Sequence, residues 1–567
     1  MLKIKKIFPF IFILFLSFFS IKFLLKPGFF PMHDNTQVTR VFEMKEVLKS
    51  FQFPARWVAH LGYGYGYPIF NFYNPLPYYF GGLVNLLGLS SLTSTKLMFI
   101  IAILASGLTM YLLAKEFFGQ VGGITSGLFY LYAPYHAVQI YVRGAVAEIW
   151  AYALLPLIFL FTFKLYKSSQ HQKDIKKYMI FSSFTFAALI LSHNLSVLIW
   201  FPPFVFFIIP LIVRLNKKVK INFLFVFFSA VLLGIGLSCF FWLPALMEKN
   251  FTSVDYMVRQ KFNPLEHFVF PDQLWFAFWG YGGSVPGRPD GLSFQVGKIH
   301  LLFVFIAVLV FVKSLAINKK LKEKDGIILF FLLGFLFSLF MMIQPSKIIW
   351  QALSPFLIYL QFPWRFLSLA SFFSSFLAGS IFLIIPNKKT AKIFSLSLII
   401  VTLIFINFRY FQPLYTGPAE DKDLLTEEKI KWEDSLASDE YLPPEFPRPQ
   451  SFMDLPKEKF VIPGRSSLSF KLQKPDQYTL EVETPKDNFL TVNIVNFPGW
   501  RATLDGKKTP IINTKGVINI FIPQGKHLID LSFKNTPRRT SANFISIISF
   551  MILLLILLLP TKFTKGN

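Results

Sequence analysis

The chain holds a single cysteine in 567 residues, Cys239, set inside an apolar run. That excludes a disulfide framework and any cysteine-based metal site, and leaves the thiol as helix packing. Acidic residues are scarce as well, 31 against 57 Lys and Arg. The resulting +26 charge does not point to nucleic acid, because the basic residues fall in short clusters between apolar runs rather than on one domain. Catalytic signatures are missing too: there is no phosphate-binding loop of the G-x-x-x-x-G-K type, no G-x-S-x-G, no H-E-x-x-H and no C-x-x-C. Neither a nucleotide nor an organic cofactor is indicated. No A-x-A-like cleavage site follows the first apolar run, which therefore reads as an uncleaved spanning helix behind Lys3, Lys5 and Lys6.

What the chain has in excess is apolar surface. Hydrophobic residues make up 54%, with 72 Phe, more than a soluble core would bury, which predicts a polytopic α-helical membrane protein. Hydropathy gives about twelve spans, at 7–25, 96–114, 117–134, 148–166, 178–191, 195–213, 223–247, 300–316, 327–343, 366–385, 393–408 and 542–559. Basic clusters at 3–6, 115, 164–177, 214–220, 313–324, 388–392 and 562–565 occupy alternate connections, which the positive-inside rule makes cytoplasmic together with both termini. The long connections, 26–95, 135–147, 192–194, 248–298, 344–365 and 409–541, then lie outside the plasma membrane.

Three domains are expected: a transmembrane part over 1–408 with its outer loop 26–95, an extracytoplasmic part over 409–541, and a last helix with its tail over 542–567. In the first outer loop Val41, Met44, Val47, Leu48 and Phe51 share a face opposite Lys45, Glu46 and Lys49, an amphipathic helix suited to the membrane interface. The stretch 62–83, rich in Gly, Pro and aromatics, is expected to pack at the membrane surface and then re-enter as a short helix. In 409–541 an acidic, helix-compatible linker precedes the strands SLSFKL, QYTLEV, FLTVNIV, VINIFI and HLIDLSF. With a hairpin signal at Asp505-Gly506 and a turn at Pro498–Trp500, they predict a β-sandwich at about 465–536, inserted before the last helix.

The candidate functional residues all fall on the outer side. Asp34, beside His33 at the exit of the first span, is either a cap near Gln37 or a site carboxylate that holds a divalent ion or takes a proton from a hydroxyl. Glu148 begins a span, where the helix dipole alone accounts for an acid, and Arg143 is an interfacial anchor or a phosphate holder. In LSHNLS, Asn194 reads as a helix cap and His193 has no such excuse. Glu248 follows FWLPALM, and Arg365 in QFPWRFL belongs either to an aromatic belt or to a phosphate pocket. Six different outer connections or helix ends supply Asp34, Arg143, Glu148, His193, Glu248 and Arg365, and their convergence would make a site.

MHDN, FPARW, GYGYPIFNFYNPLPYYFGGL, RGAVAEIWAYALLPL, LSHNLS, FWLPALME, LQFPWRFL and NFPGWRATLDGKK together resemble the membrane proteins called 6-pyruvoyl-tetrahydropterin synthase-related, which are similar to YfhO-like proteins and GT-C glycosyltransferases. The resemblance spans nearly the whole chain. It implies a GT-C-like enzyme of the cell envelope that takes a sugar from a polyprenyl-phosphate donor and delivers it to a glycan, lipid or protein. Asp34 would then activate the acceptor or hold Mg²⁺ or Mn²⁺, Glu148 would be a second acid beside His33, and Arg143 and Arg365 would hold donor phosphate, with His193, Asn194 and Glu248 around the substrate. The loop reads His-Asp where many GT-C enzymes have paired acids. The runner-up is a lipid or polysaccharide transporter or envelope assembly factor using the same cations, and a third reading is a scaffold whose sandwich binds glycan. Few charges lie within the spans, which favours surface chemistry over translocation.

Overall fold

The computed structural model of the chain describes residues 2–261 and 263–558. Among the described residues ten helices are long and apolar enough to cross a membrane, and the shorter apolar helix Ile7–Leu16 precedes them. The helical stretch Ser91–Leu131 is two legs, because Gly119 breaks it at φ 72°, ψ −176° and the chain folds back. A methyl at Gly127 would lie 2.6 Å from the Gly107 carbonyl oxygen, so the two legs pack backbone to backbone. The ten candidates, one of them in two legs, and the shorter Ile7–Leu16 fall at the twelve expected positions.

Two expected spans are interrupted. The first helix, Leu2–Leu16, stops before Ser17 and resumes as Phe18–Ile21. Tyr132 donates to the Leu16 carbonyl and Tyr141 to that of Ser20 at 2.7 Å, satisfying acceptors that the break sets free. The expected 223–247 span divides at Ser238 into Lys217–Leu237 and Cys239–Glu248.

Charged contacts identify the basic end of the bundle. Lys164 pairs with Glu116, Lys167 with Glu323 at 2.8 Å, and Arg214 donates to the Lys322 carbonyl at 3.2 Å. Clusters from four separate connections therefore share one end. The long connections gather at the other, loop-rich end.

There the helix Gln37–Lys49 forms, but not at a lipid interface. Val41, Met44 and Val47 are fully buried, and a methyl at Gly82 of helix Leu76–Leu86 would come within 2.5 Å of the Met44 side chain. Glycine on the second helix allows the two to approach closely, so the apolar stripe is used up inside the protein. Phe51 does not belong to that stripe: it lies beyond the helix end with φ 62° and is 90% exposed. The aromatic stretch after it likewise packs on protein rather than on the membrane surface. Tyr67 donates to the Ser438 carbonyl at 2.7 Å, and Tyr65 meets Phe446 edge to face.

The acidic segment is no free linker. Asp421 accepts from the backbone N–H groups of Ser91 and Leu92 at 2.7 and 2.9 Å, capping the helix that begins there, and Asp434 accepts from Thr39. Beyond it lie nine strands: β1 (Phe460–Val461), β2 (Ser467–Lys474), β3 (Gln477–Thr484), β4 (Asn488–Val495), β5 (Trp500–Leu504), β6 (Lys507–Thr509), β7 (Ile512–Thr514), β8 (Val517–Ile522) and β9 (Gly525–Phe533). Their order is β1-β4-β8-β7 in one sheet and β2-β3-β9-β5-β6 in the other, with every paired neighbour antiparallel. The alternating residues Leu480, Val482, Leu490, Val492, Ile529 and Leu531 are fully buried, as an inward-facing sandwich core requires. Asp505 and Gly506, both at positive φ, join β5 to β6 as the hairpin signal predicts.

The sandwich is seated by aromatic contacts. Trp57 of FPARW packs against Trp500 and Phe533 with ring centroids 5.1 and 5.0 Å apart. Helix Pro537–Leu558 then leaves the sandwich as the last spanning candidate.

Candidate functional site

Glu148 sits in the first turn of helix Val146–His171, 3% exposed. Its carboxylate accepts from Tyr135 Oη at 2.7 Å, Gln139 Nε2 at 2.9 Å and Arg143 Nη1 at 2.6 Å, with Arg365 Nη1 at 3.5 Å. Residues 135, 139 and 143 are four apart and lie on one side of the chain. The turn that carries the last two is a π-helix, Val138–Arg143, ended by Gly144 in the left-handed region at φ 63°. Such turns often mark functional sites. Arg143 also lies over the Trp364 ring at 4.8 Å, and Arg365 Nη2 donates to Gln361 at 3.0 Å. Trp364 and Arg365 are both buried, so neither belongs to an interfacial belt.

The first loop is stitched to this π-turn. The backbone N–H groups of His33 and Asp34 donate to the carbonyls of Val142 and Arg143 at 3.0 and 2.9 Å, and Gln37 Nε2 donates to that of Gly144 at 2.8 Å. A Cβ at Gly144 would overlap Met32 Sδ. Gly144→Ala is therefore expected to cost about 1–3 kcal/mol, from backbone strain and overlap together. The thermal unfolding midpoint in detergent checks it, and an unchanged midpoint would mean that the seam is loose.

Asp34 does not cap the helix near Gln37. Its carboxylate accepts from Thr36 Oγ1 at 2.9 Å and Tyr73 Oη at 3.1 Å, and both oxygens face Arg40 Nη1 at 3.2 and 3.3 Å. Arg40 is buried, stacks on the Tyr73 ring at 4.1 Å and donates to Ser438 Oγ at 3.1 Å. The two carboxylate groups are neighbours: Arg143 is within electrostatic reach of Asp34, and Arg365 within reach of Tyr73. Asp34 is the more accessible, its side chain 29% exposed.

His193 also faces Glu148, Arg365 and Arg143. Its Nδ1 accepts from the Ser196 backbone N–H at 3.2 Å, so that nitrogen carries no proton and the ring itself caps helix Asn194–Ile212. Asn194, expected to be the cap, is the exposed first residue of the helix instead. His33 turns away toward a different partner, the Tyr281 carbonyl, 3.0 Å from its Nε2.

Glu248 does not join this group. It is 1% exposed and accepts from Arg539 Nε at 2.9 Å, Asn71 Nδ2 at 2.9 Å and Thr536 Oγ1 at 2.8 Å. Arg539 is fully buried and donates to the Pro498 carbonyl at 2.8 Å. This pair clasps the end of one helix to the sandwich and to the last helix, and its charge is spent there.

A divalent ion at Asp34 does not fit these side chains. Among the described residues no three His, Cys, Asp or Glu gather, although one or two carboxylates suffice for Mg²⁺. The Arg40 guanidinium already holds the Asp34 oxygens that Mg²⁺ or Mn²⁺ would take, and it would repel either ion.

Sequence reasoning missed Arg40, Tyr73, Tyr135, Gln139, Gln361 and Glu440. The four-residue spacing of Tyr135, Gln139 and Arg143 was the one available signal. Glu440 comes from the expected linker and lies within reach of Arg40 and Asp34. Burial raises its carboxyl above the usual range, with Arg40 pulling the other way.

Over 302 residues the chain is 25% identical to an uncharacterised protein of Lactococcus lactis subsp. cremoris, a match covering 51% of this chain and 46% of that one. The chain thus spans less than half the length of that relative. The oligosaccharyltransferase of Archaeoglobus fulgidus is similar at 14% identity and a TM-score of 0.49, over 80% of this chain and 62% of that one. ArnT from Cupriavidus metallidurans, solved with undecaprenyl phosphate, is similar at 12% identity and a TM-score of 0.30, over 67% of this chain and 77% of that one. Likeness of that size transfers no activity. Residues 70–412, more than half the chain, match a family in their own right: this is a membrane protein of the 6-pyruvoyl-tetrahydropterin synthase related domain family.

Proposed function

We propose that the protein transfers a sugar from a polyprenyl-phosphate donor to a cell-surface glycan, lipid or protein at the extracytoplasmic face. The observation that carries this is a charge imbalance. One buried carboxylate, Glu148, lies between two buried arginines, Arg143 and Arg365, while the neighbouring Asp34 is already matched by Arg40. Arg365 Nε has no hydrogen-bond partner among the described residues. An unmatched buried cation is costly, and a bound phosphate removes that cost through charge-assisted hydrogen bonds. The sequence resemblance supplies the lipid-linked sugar as the bearer of that phosphate.

In this mechanism Glu148 positions the two guanidinium groups, and they bind the donor phosphate. The proton of an acceptor hydroxyl passes to the Asp34 carboxylate as the acceptor oxygen bonds to the anomeric carbon. The bond from that carbon to the phosphate breaks, and polyprenyl phosphate leaves with the electron pair. No step needs a divalent ion.

The test is sugar transfer from polyprenyl-phosphate donors by purified protein in liposomes. Arg365→Gln is expected to raise KM by roughly ten- to a hundredfold, the loss of one charge-assisted hydrogen bond, with kcat changed less. Absence of transfer from any donor would overturn the proposal. The runner-up, a lipid or polysaccharide transporter or assembly factor, has one observation in its favour: the Asp34 oxygens are already engaged by Arg40, Thr36 and Tyr73. Saturable binding of polyprenyl phosphate without turnover would select it.

A further inference from the structure

A second site lies away from Glu148, where the sandwich rests on the first loop. A cleft of about 390 Å³ opens there between His60 and Gly64 on one side and the β2–β3 turn and the β1 approach on the other. That volume falls within the range of small-molecule pockets. Four lysines line it, Lys431, Lys457, Lys459 and Lys474, against two glutamates. One of these, Glu46, is already paired with Lys45 at 3.0 Å. Lys431 is held by Glu427, but Lys457 and Lys474 stand exposed on the rim with no carboxylate at ion-pair distance among the described residues.

The floor is built rather than accidental. The Lys459 ammonium is tethered by the Ala59 carbonyl at 3.1 Å and lies 3.5 Å from Tyr478 Oη. It lies 5.8 Å from the centre of the Tyr478 ring, and that ring is itself fixed edge to face against Phe460. Burial pulls the Lys459 ammonium down to about 8, with Glu43 offsetting only part of the effect, as befits an amine short of a counter-charge. Gly64, at φ 80°, leaves room for the Lys431 stem, which a methyl there would approach to 3.1 Å.

We infer that this cleft binds an acidic saccharide, its carboxylates on the lysines and its hydroxyls on the neighbouring amide and carbonyl groups. Point-charge ammonium groups on flexible stems suit carboxylates spaced along a chain better than a single planar anion. The cleft belongs to the sandwich and loop rather than to the helix bundle, and Tyr478 is too enclosed to stack a nucleobase. This inference stands whether or not Asp34 catalyses transfer.

The test is calorimetric titration of the full-length protein in detergent with trigalacturonate, beside maltotriose and inorganic phosphate. Saturable binding of trigalacturonate is expected, with none of maltotriose. Affinity should fall about fivefold in the Lys457→Gln/Lys474→Gln double variant, the loss of two exposed charges, which leaves the fold untouched. No binding of trigalacturonate, equal binding of maltotriose, displacement by equimolar phosphate, or wild-type affinity in the double variant would each overturn it.

Discussion

Asp34→Asn is expected to reduce sugar transfer by about 10²–10⁴-fold, the usual contribution of a positioned general base. The fold should tolerate the change. Asparagine keeps the volume and one carbonyl oxygen to accept from Thr36 and Tyr73, which now donate to Asp34 at 2.9 and 3.1 Å. Arg40 would lose its nearest counter-charge but keep Glu440 within electrostatic reach. The elution profile should therefore stay at wild type and the thermal midpoint should fall by less than in Glu248→Gln, because Asp34 is partly exposed where Glu248 is not, while turnover collapses. Donor binding should persist, because Arg143 and Arg365 are unaltered. Transfer at full rate would remove Asp34 from the chemistry. Lost turnover together with a midpoint lowered as far as in Glu248→Gln would leave Asp34 a structural partner of Arg40.

Glu248→Gln should have the opposite signature. It leaves Arg539, with no exposed surface, without its carboxylate, and Arg56 nearby without an electrostatic partner. Breaking a buried pair from one side costs about 3–5 kcal/mol. Glutamine still accepts from Asn71 or Thr536, but it cannot neutralise a guanidinium. The expected result is a large drop in thermal stability, with transfer per folded molecule unchanged. Replacing both partners, Glu248→Gln with Arg539→Met, should cost less than the single change, since no orphaned charge remains. Normal stability with lost transfer would return Glu248 to the substrate site.

The contrast between these two carboxylates marks how far the sequence alone could be read. Both follow apolar runs and both precede long connections, so composition treats them alike. What separates them is which arginine each meets, Arg40 for Asp34 and Arg539 for Glu248, the latter 291 residues away, as Arg365 is 217 from Glu148. No local pattern carries such pairings. The spans and strands were legible because a 20-residue apolar run or an alternation of two is a local property. The helix Gln37–Lys49 was legible as a helix and misread in destination. An apolar stripe has the same spacing whether it faces lipid or the glycines of helix Leu76–Leu86. The span interruptions at Ser17 and Ser238 and the engagement of Asp421 and Asp434 were hidden for the same reason, since each depends on partners supplied by another part of the fold.

Transfer at the extracytoplasmic face requires the loop-rich end to face away from the cytoplasm. Asn35 is exposed beside Asp34, and the one native thiol, Cys239, is buried. The direct measurement is labelling of an Asn35→Cys, Cys239→Ser variant with a membrane-impermeant maleimide, in right-side-out and in inside-out membrane vesicles. Rapid labelling in right-side-out vesicles, with protection in inside-out ones until detergent is added, is the predicted result. The reverse pattern would put Asp34 and the arginines around Glu148 in the cytoplasm and contradict the proposal.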